Sequence, residues 1–140
     1  MADVLEGLAL HLTSKGLATY NPAAAGGDCF LEAMPSTPGL AVVLTGYGGP
    51  ESDSANPYDE PRVQIRVRGA ADPRVSRSRA EAIRSELHGL GPLILPDGTH
   101  LILAIAMQAA PASMGRDEAG RFEHVVNYRC TVRQPTAHRG

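Results

Sequence analysis

The chain has 140 residues, enough for one domain that buries roughly two thirds of the surface its unfolded form would expose. A net charge of -2 and a pI near 6.2 give no global basic excess that would argue for nucleic acid, and no acidic solvating tail. With 15 glycines, 11 prolines and only 4% aromatic residues, the chain is expected to carry much of its length in loops.

Asp3 and Glu6 stand at capping-box spacing, and Val4, Leu5, Leu8, Ala9 and Leu12 recur at helical intervals up to Lys15 and Gly16. This predicts a first helix over residues 3–15, closed by Gly16. A loop of small residues follows, then a short strand over residues 29–34 with Phe30 buried, ended by Pro35 and Pro38. Residues 40–47, rich in Val and Leu, predict a second strand. Residues 48–59 hold almost nothing apolar and predict a mobile loop that joins two paired strands.

Residues 62–69 carry the clearest pattern in the chain. Val63, Ile65 and Val67 alternate with Arg62, Gln64, Arg66 and Arg68, the period of a central strand with one face on a core and the other polar. Asp72-Pro73 then offers a cap and a first helical position. The spacing predicts a second helix over residues 73–88, with Val75, Ala80, Ile83, Leu87 and Leu90 as its apolar stripe and Gly89 or Gly91 closing it. Its basic outer face is what a solvated surface also looks like, with Arg77 and Glu81 as a weak pair.

Residues 93–95 and 99–108 predict a hairpin around Pro96-Asp97-Gly98, and residues 109–115 a loop. Asp117 to Gly120 predicts a tight turn before a last strand over residues 122–132. On that strand Phe122, His124, Val126, Tyr128, Cys130 and Val132 share one face, and Glu123, Val125, Asn127, Arg129 and Thr131 the other. The element order α-β-β-β-α-β-β-β predicts an α+β fold, one two-layer domain over residues 1–133 with a mainly antiparallel sheet packed by two helices. Residues 134–140 are expected to be a polar tail.

The standard signatures of catalysis are missing. No P-loop, dinucleotide-binding glycine motif, His-Glu-x-x-His or Gly-x-Ser-x-Gly occurs, and His11, His88, His100, His124 and His138 are dispersed without metal-ligand spacing. No cofactor or metal is expected. Asp117 and Glu118 could form an acid/base pair in a cleft, but Asp and Gly chemistry is what a turn itself requires. Cys29 and Cys130 lack Cys-x-x-Cys spacing and are expected to be reduced, a disulfide arising only if their strands adjoin. No secretory signal is expected, and the longest apolar run, residues 101–107, is about a third of the ~20 residues a membrane span needs. Arg62, Arg66 and Arg68 could track a phosphate backbone, yet on an acidic protein a row of arginines more often meets carboxylates at a protein interface.

Several segments, in this order, carry a family resemblance: the first helix ending in Lys15-Gly16-Leu17 with Tyr20 beyond, Leu44 to Pro50, Pro61 to Gly69, and Leu87-His88-Gly89-Leu90. Gln108 and Pro111 and then Gly115 to Arg121 complete the set. Together they resemble the tail terminator or minor capsid proteins of tailed bacteriophages. The Ala/Gly-rich residues 23–27 and the alanines before Pro111 depart from that pattern.

The resemblance implies a non-enzymatic virion protein of the tail and neck region, assembled in the host bacterial cytoplasm with no membrane contact. It implies a homo-oligomeric, hexameric ring at the head-proximal end of the tail tube that ends tube polymerisation and joins the head. Its partners would be the tail tube protein and the head-tail connector or neck proteins, with DNA in the lumen close by. Arg62, Gln64, Arg66 and Arg68, with Arg116, Asp117 and Arg121, are the expected interface residues, and residues 48–59 and 109–120 are expected to order on assembly. A head-tail connector or stopper of the neck, contacting DNA, is the alternative.

Overall fold

The computed structural model describes residues 3–22 and 26–140. In chain order the elements are α1 (Val4–Ser14), β1 (Cys29–Leu31), β2 (Ala41–Gly46), β3 (Tyr58–Asp59), β4 (Arg62–Arg68), α2 (Pro73–Leu87), β5 (Leu93–Ile94), β6 (His100–Ala106), β7 (Ala112–Arg116) and β8 (Phe122–Arg133). The fold is α+β, and the sheet runs β1-β2-β4-β8-β6-β5 with β3 and β7 also paired to β8. All pairings are antiparallel except β1 with β2. Two short strands, β3 and β7, lie where the sequence predicted loops. Both form because β8 is longer than either main neighbour and offers spare backbone donors and acceptors at each end. Of the Ala/Gly-rich loop at residues 23–27, residues 23–25 lie outside the described residues.

Strand β8 is the spine. Its inward residues His124, Val126, Tyr128, Cys130 and Val132 are buried with Val63, Ile65 and Val67 of β4 in one core, against Leu5, Leu8, Ala9 and Leu12 of α1 and Ala80, Ile83 and Leu87 of α2. Both helices therefore cover one face of the sheet. Cys29 and Cys130 are free and buried, separated by β2 and β4, and burial pushes both thiols up to about 12. Phe30 is only half-buried, because the strand alternation turns it away from the core that Cys29 enters.

Helix α1 begins at Asp3, whose Oδ1 accepts from the Leu5 N–H at 3.0 Å. The reciprocal half of the capping box does not form. Asp97, from the β5–β6 turn, accepts the Asp3 N–H at 2.7 Å through Oδ2, and Glu6 accepts from the Tyr20 hydroxyl instead. The turn and the helix approach so closely that a Cβ on Gly7 would stand 2.5 Å from Asp97 Oδ1. At the other end Gly16, with φ +73°, lets the Leu17 N–H reach Leu12 O and its own N–H reach Thr13 O, a Schellman closure.

Helix α2 is capped by Asp72 and started by Pro73. Its inward stripe is Ser76, Ala80, Ile83 and Leu87, while Val75 is 41% exposed. The predicted stripe was one residue off at its start, where only a small side chain fits. A Cβ on Gly69 would stand 2.7 Å from Ser76 N, so strand and helix nearly touch there. The Ser76 hydroxyl lies 2.7 Å from His124 Nδ1, which satisfies two buried polar groups at the helix–sheet joint. Burial, and then the charge of Arg77, lower the His124 pKa, with Glu81 opposing.

Gly7→Ala improves helix propensity by roughly 0.5–1 kcal/mol but forces α1 off the Asp97 turn, a clash of about 1–3 kcal/mol, so denaturant unfolding is expected to show net destabilisation. The unfolded chain protonates its histidine near pH 6.5, above the lowered folded value, so the stability contributed by His124 is complete above that pH and is lost as pH falls. Melting temperature should thus decline between about pH 7 and about pH 5, before carboxylates titrate, and His124→Gln should flatten that slope. An unchanged slope would show that His124 titrates alike in both states.

Candidate interaction surface

The face of the sheet away from the helices carries the alternate residues of β4 and β8. Register places Arg62 opposite Arg129, Gln64 opposite Asn127, Arg66 opposite Val125 and Arg68 opposite Glu123. On the other side of β4, Thr45 lies beside Gln64, Val43 beside Arg66 and Ala41 beside Arg68. This face is open over part of its length and covered at one end.

Arg68 lies at the covered end and does not face solvent. It is 3% exposed, and its guanidinium donates from Nε to Gly39 O at 2.8 Å and from Nη2 to Pro35 O at 2.7 Å and Pro38 O at 2.6 Å. Burial, and then the nearby Arg121 charge, lower its pKa from the usual guanidinium value. Residues 35–39 have no sheet partner for these carbonyls, and Arg68 supplies the donors they need. The alternation of the sequence put Arg68 on the polar face correctly; what covers that end of the face is a loop distant in sequence.

Arg121 completes the same clamp. Its Nη1 donates to Ser36 O at 2.8 Å and its Nε to Asp117 Oδ2 at 2.8 Å. Asp117 closes the β7–β8 turn, its Oδ1 accepting the backbone N–H groups of Ala119 at 3.0 Å and Arg121 at 2.8 Å. Those backbone bonds, Arg121 first, and the Arg121 guanidinium hold the Asp117 carboxyl below its ordinary range. Arg116 stands apart at the end of β7, its guanidinium 5.9 Å from the Phe122 ring centroid.

Arg62, Gln64 and Arg66 lie on the open part. Arg62 Nη1 donates to Glu60 O at 3.0 Å, and the Glu60 carboxylate stands 3.8 Å from both Arg62 and Arg129. Gln64 Nε2 donates to Asn127 Oδ1 at 3.3 Å. Arg66 Nε approaches Glu123 Oε1 to 3.4 Å without forming a hydrogen bond. Of the seven expected interface residues, three are thus brought together on the open face and three gather at its covered end around residues 35–39. Arg129, Glu60 and Glu123 join the open set. The alternation of residues 122–132 already placed Arg129 and Glu123 on the outward side, but the register that sets them beside Arg62 and Arg68 needs the pairing partner.

The polar loop at residues 48–59 is anchored at its end. Arg139 donates to Asp59 Oδ1 at 3.0 Å and Oδ2 at 2.7 Å and to the carbonyls of Asp53 and Asn56, so the polar C-terminal residues fold back onto this loop. The side-chain bond from Arg139 leads the causes that lower the Asp59 pKa. Concavities of about 390 and 520 Å³ lie beside β1 and between the start of α1 and the end of β8, and neither is lined by His88 or Asp117. His88 Nδ1 accepts the Ala106 N–H at 3.0 Å. Among the described residues no three His, Cys, Asp or Glu side chains come together as a metal set, and no helix is long and apolar enough to cross a membrane.

Arg68 and Arg66, neighbours on one face, should respond differently to the same change. Arg68→Met leaves three loop carbonyls without donors and should lose on the order of 3 kcal/mol, whereas Arg66→Met should stay within about 0.5 kcal/mol. Equal losses in urea unfolding would show that the clamp does not hold residues 35–39.

A family model described as bacteriophage tail terminator protein matches residues 11–134. Among curated proteins, none matches the chain.

Proposed function

The chain belongs to the bacteriophage tail terminator protein family, a structural role in tail completion, and on that premise we propose that it acts as a ring at the head-proximal end of the tail tube. The ring is hexameric, stops tube polymerisation and offers the surface on which the head docks. It resides in the virion after assembly in the host cytoplasm, between the tail tube protein and the neck proteins. The family match over residues 11–134 carries this reading.

The unlike sides of the fold support the ring reading. Head-to-tail closure needs two different complementary patches on each subunit, and a third surface must meet the tube. One face of this sheet is covered by helices and the other is polar and open, so the subunit presents chemically distinct sides. Arg62, Gln64 and Arg66 make charge-assisted contacts across a subunit or ring–tube boundary. Arg68, Asp117 and Arg121 serve that boundary indirectly by shaping residues 35–39 at its end, and Arg116 borders it from β7. We assign no catalytic role to any residue.

The experiment is a mass measurement and negative-stain imaging of the purified chain, followed by tube-capping assays with Arg66→Glu. Expected are a six-fold ring for the unaltered protein and a folded Arg66→Glu subunit that fails to close the ring or to cap tubes. A chain that stays monomeric at high concentration and leaves tube length unlimited would overturn the reading.

A further inference from the structure

The geometry points to a carboxylate-bearing polypeptide as the partner of the open sheet face, bound along a stripe of four arginines that β4 and β8 build together. This inference rests on reading that face as an assembly surface. Strand β8 runs beyond the start of β4, so its outward residues continue from Arg129 through Thr131 to Arg133. Register sets Arg66 beside Val125 and Arg62 beside Arg129. At about 3.4 Å per residue, the stripe steps about 14 Å from Arg66 to the Arg62–Arg129 pair and about as far again to Arg133, some 27 Å in all.

Charge on this stripe is unbalanced although the chain as a whole is at -2. Four guanidiniums face two carboxylates. Glu60 is shared at 3.8 Å between Arg62 and Arg129, too far for a hydrogen bond to either, and Glu123 gives Arg66 an ion contact only. Arg133 has no carboxylate within ion-pair reach among the described residues. Arg62 and Arg129 are also like charges directly opposed on neighbouring strands, an arrangement that an incoming anion relieves.

The surroundings decide which anion. Ile105, half-buried, sits beside Arg129 on this face, whereas Val43 and Val125 beside Arg66 are themselves buried. Tyr47 and Met107, each about half exposed, touch through the hydroxyl and sulfur at 3.8 Å. Arginine set among aliphatic, Tyr and Met side chains is the composition of a protein interface. A phosphate backbone would find little use for the apolar part. An extended acidic segment with a carboxylate at every fourth residue matches the step of about 14 Å, since about 3.4 Å separates its residues.

The test measures binding of the full chain to poly-L-glutamate and to duplex DNA of equal charge, by fluorescence anisotropy at low and at physiological salt. Poly-L-glutamate should bind at least tenfold more tightly than the DNA. The double variant Arg129→Gln with Arg133→Gln should weaken that binding about tenfold with an unchanged melting temperature, and Arg129→Glu with Arg133→Glu should weaken it further. DNA binding as tight as poly-L-glutamate, or a Gln variant that binds like the unaltered chain, would overturn the inference. Mass measured on the same samples keeps the two ideas apart. A monomer that binds poly-L-glutamate supports the stripe and removes the ring, and a ring that does not bind it removes the stripe.

Discussion

Two-edged pairing of β8 is the constraint on which the molecule depends. The strand holds β4 and β3 on one edge and β6 and β7 on the other, so no other element could be lost with as much consequence for the sheet. Because side chains alternate, the same twelve residues supply the deepest part of the core and the outward row of the open face. A one-residue slip would bury Arg129 and expose Tyr128, which makes the register strongly specified. Burial of His124, Val126, Tyr128, Cys130 and Val132 under the helices therefore also fixes where the arginines stand.

Buried polar groups settle the details that apolar packing leaves open. Ser76 meets His124 where α2 comes too close to Gly69 for any larger side chain, and His11 meets Glu86 at 2.9 Å where the two helices adjoin. Asp97 ties the β5–β6 turn to the first turn of α1. Arg68 and Arg121 hold residues 35–39 over one end of the outward face. Each is a hydrogen-bonded joint between segments far apart in sequence, and each costs a desolvation penalty if broken.

Those joints divide the arginines by role. Arg68 and Arg121 spend their donors on backbone carbonyls and are part of the frame, whereas Arg62, Arg66 and Arg129 share too few carboxylates to be satisfied internally. The open face of this tail terminator protein is thereby left with surplus donors, ordered by a sheet whose other face is fully packed. Rigidity of that frame lowers the ordering cost of any contact it makes.

Periodicity alone determined both helices, the main strands and the polarity of each strand face, because the 3.6- and 2-residue repeats are local properties of the backbone. The Val63–Val67 alternation and the caps at Asp3 and Asp72 could be read without any partner. The strands β3 and β7, the displacement of Val75 by Ser76 and the covering of Arg68 by residues 35–39 could not, since each depends on what lies across from it. Only the tertiary structure decided which arginines stay outside. A guanidinium on a strand looks the same in sequence whether solvent or three carbonyls of a distant loop await it, and register, set by the whole core at once, makes that choice.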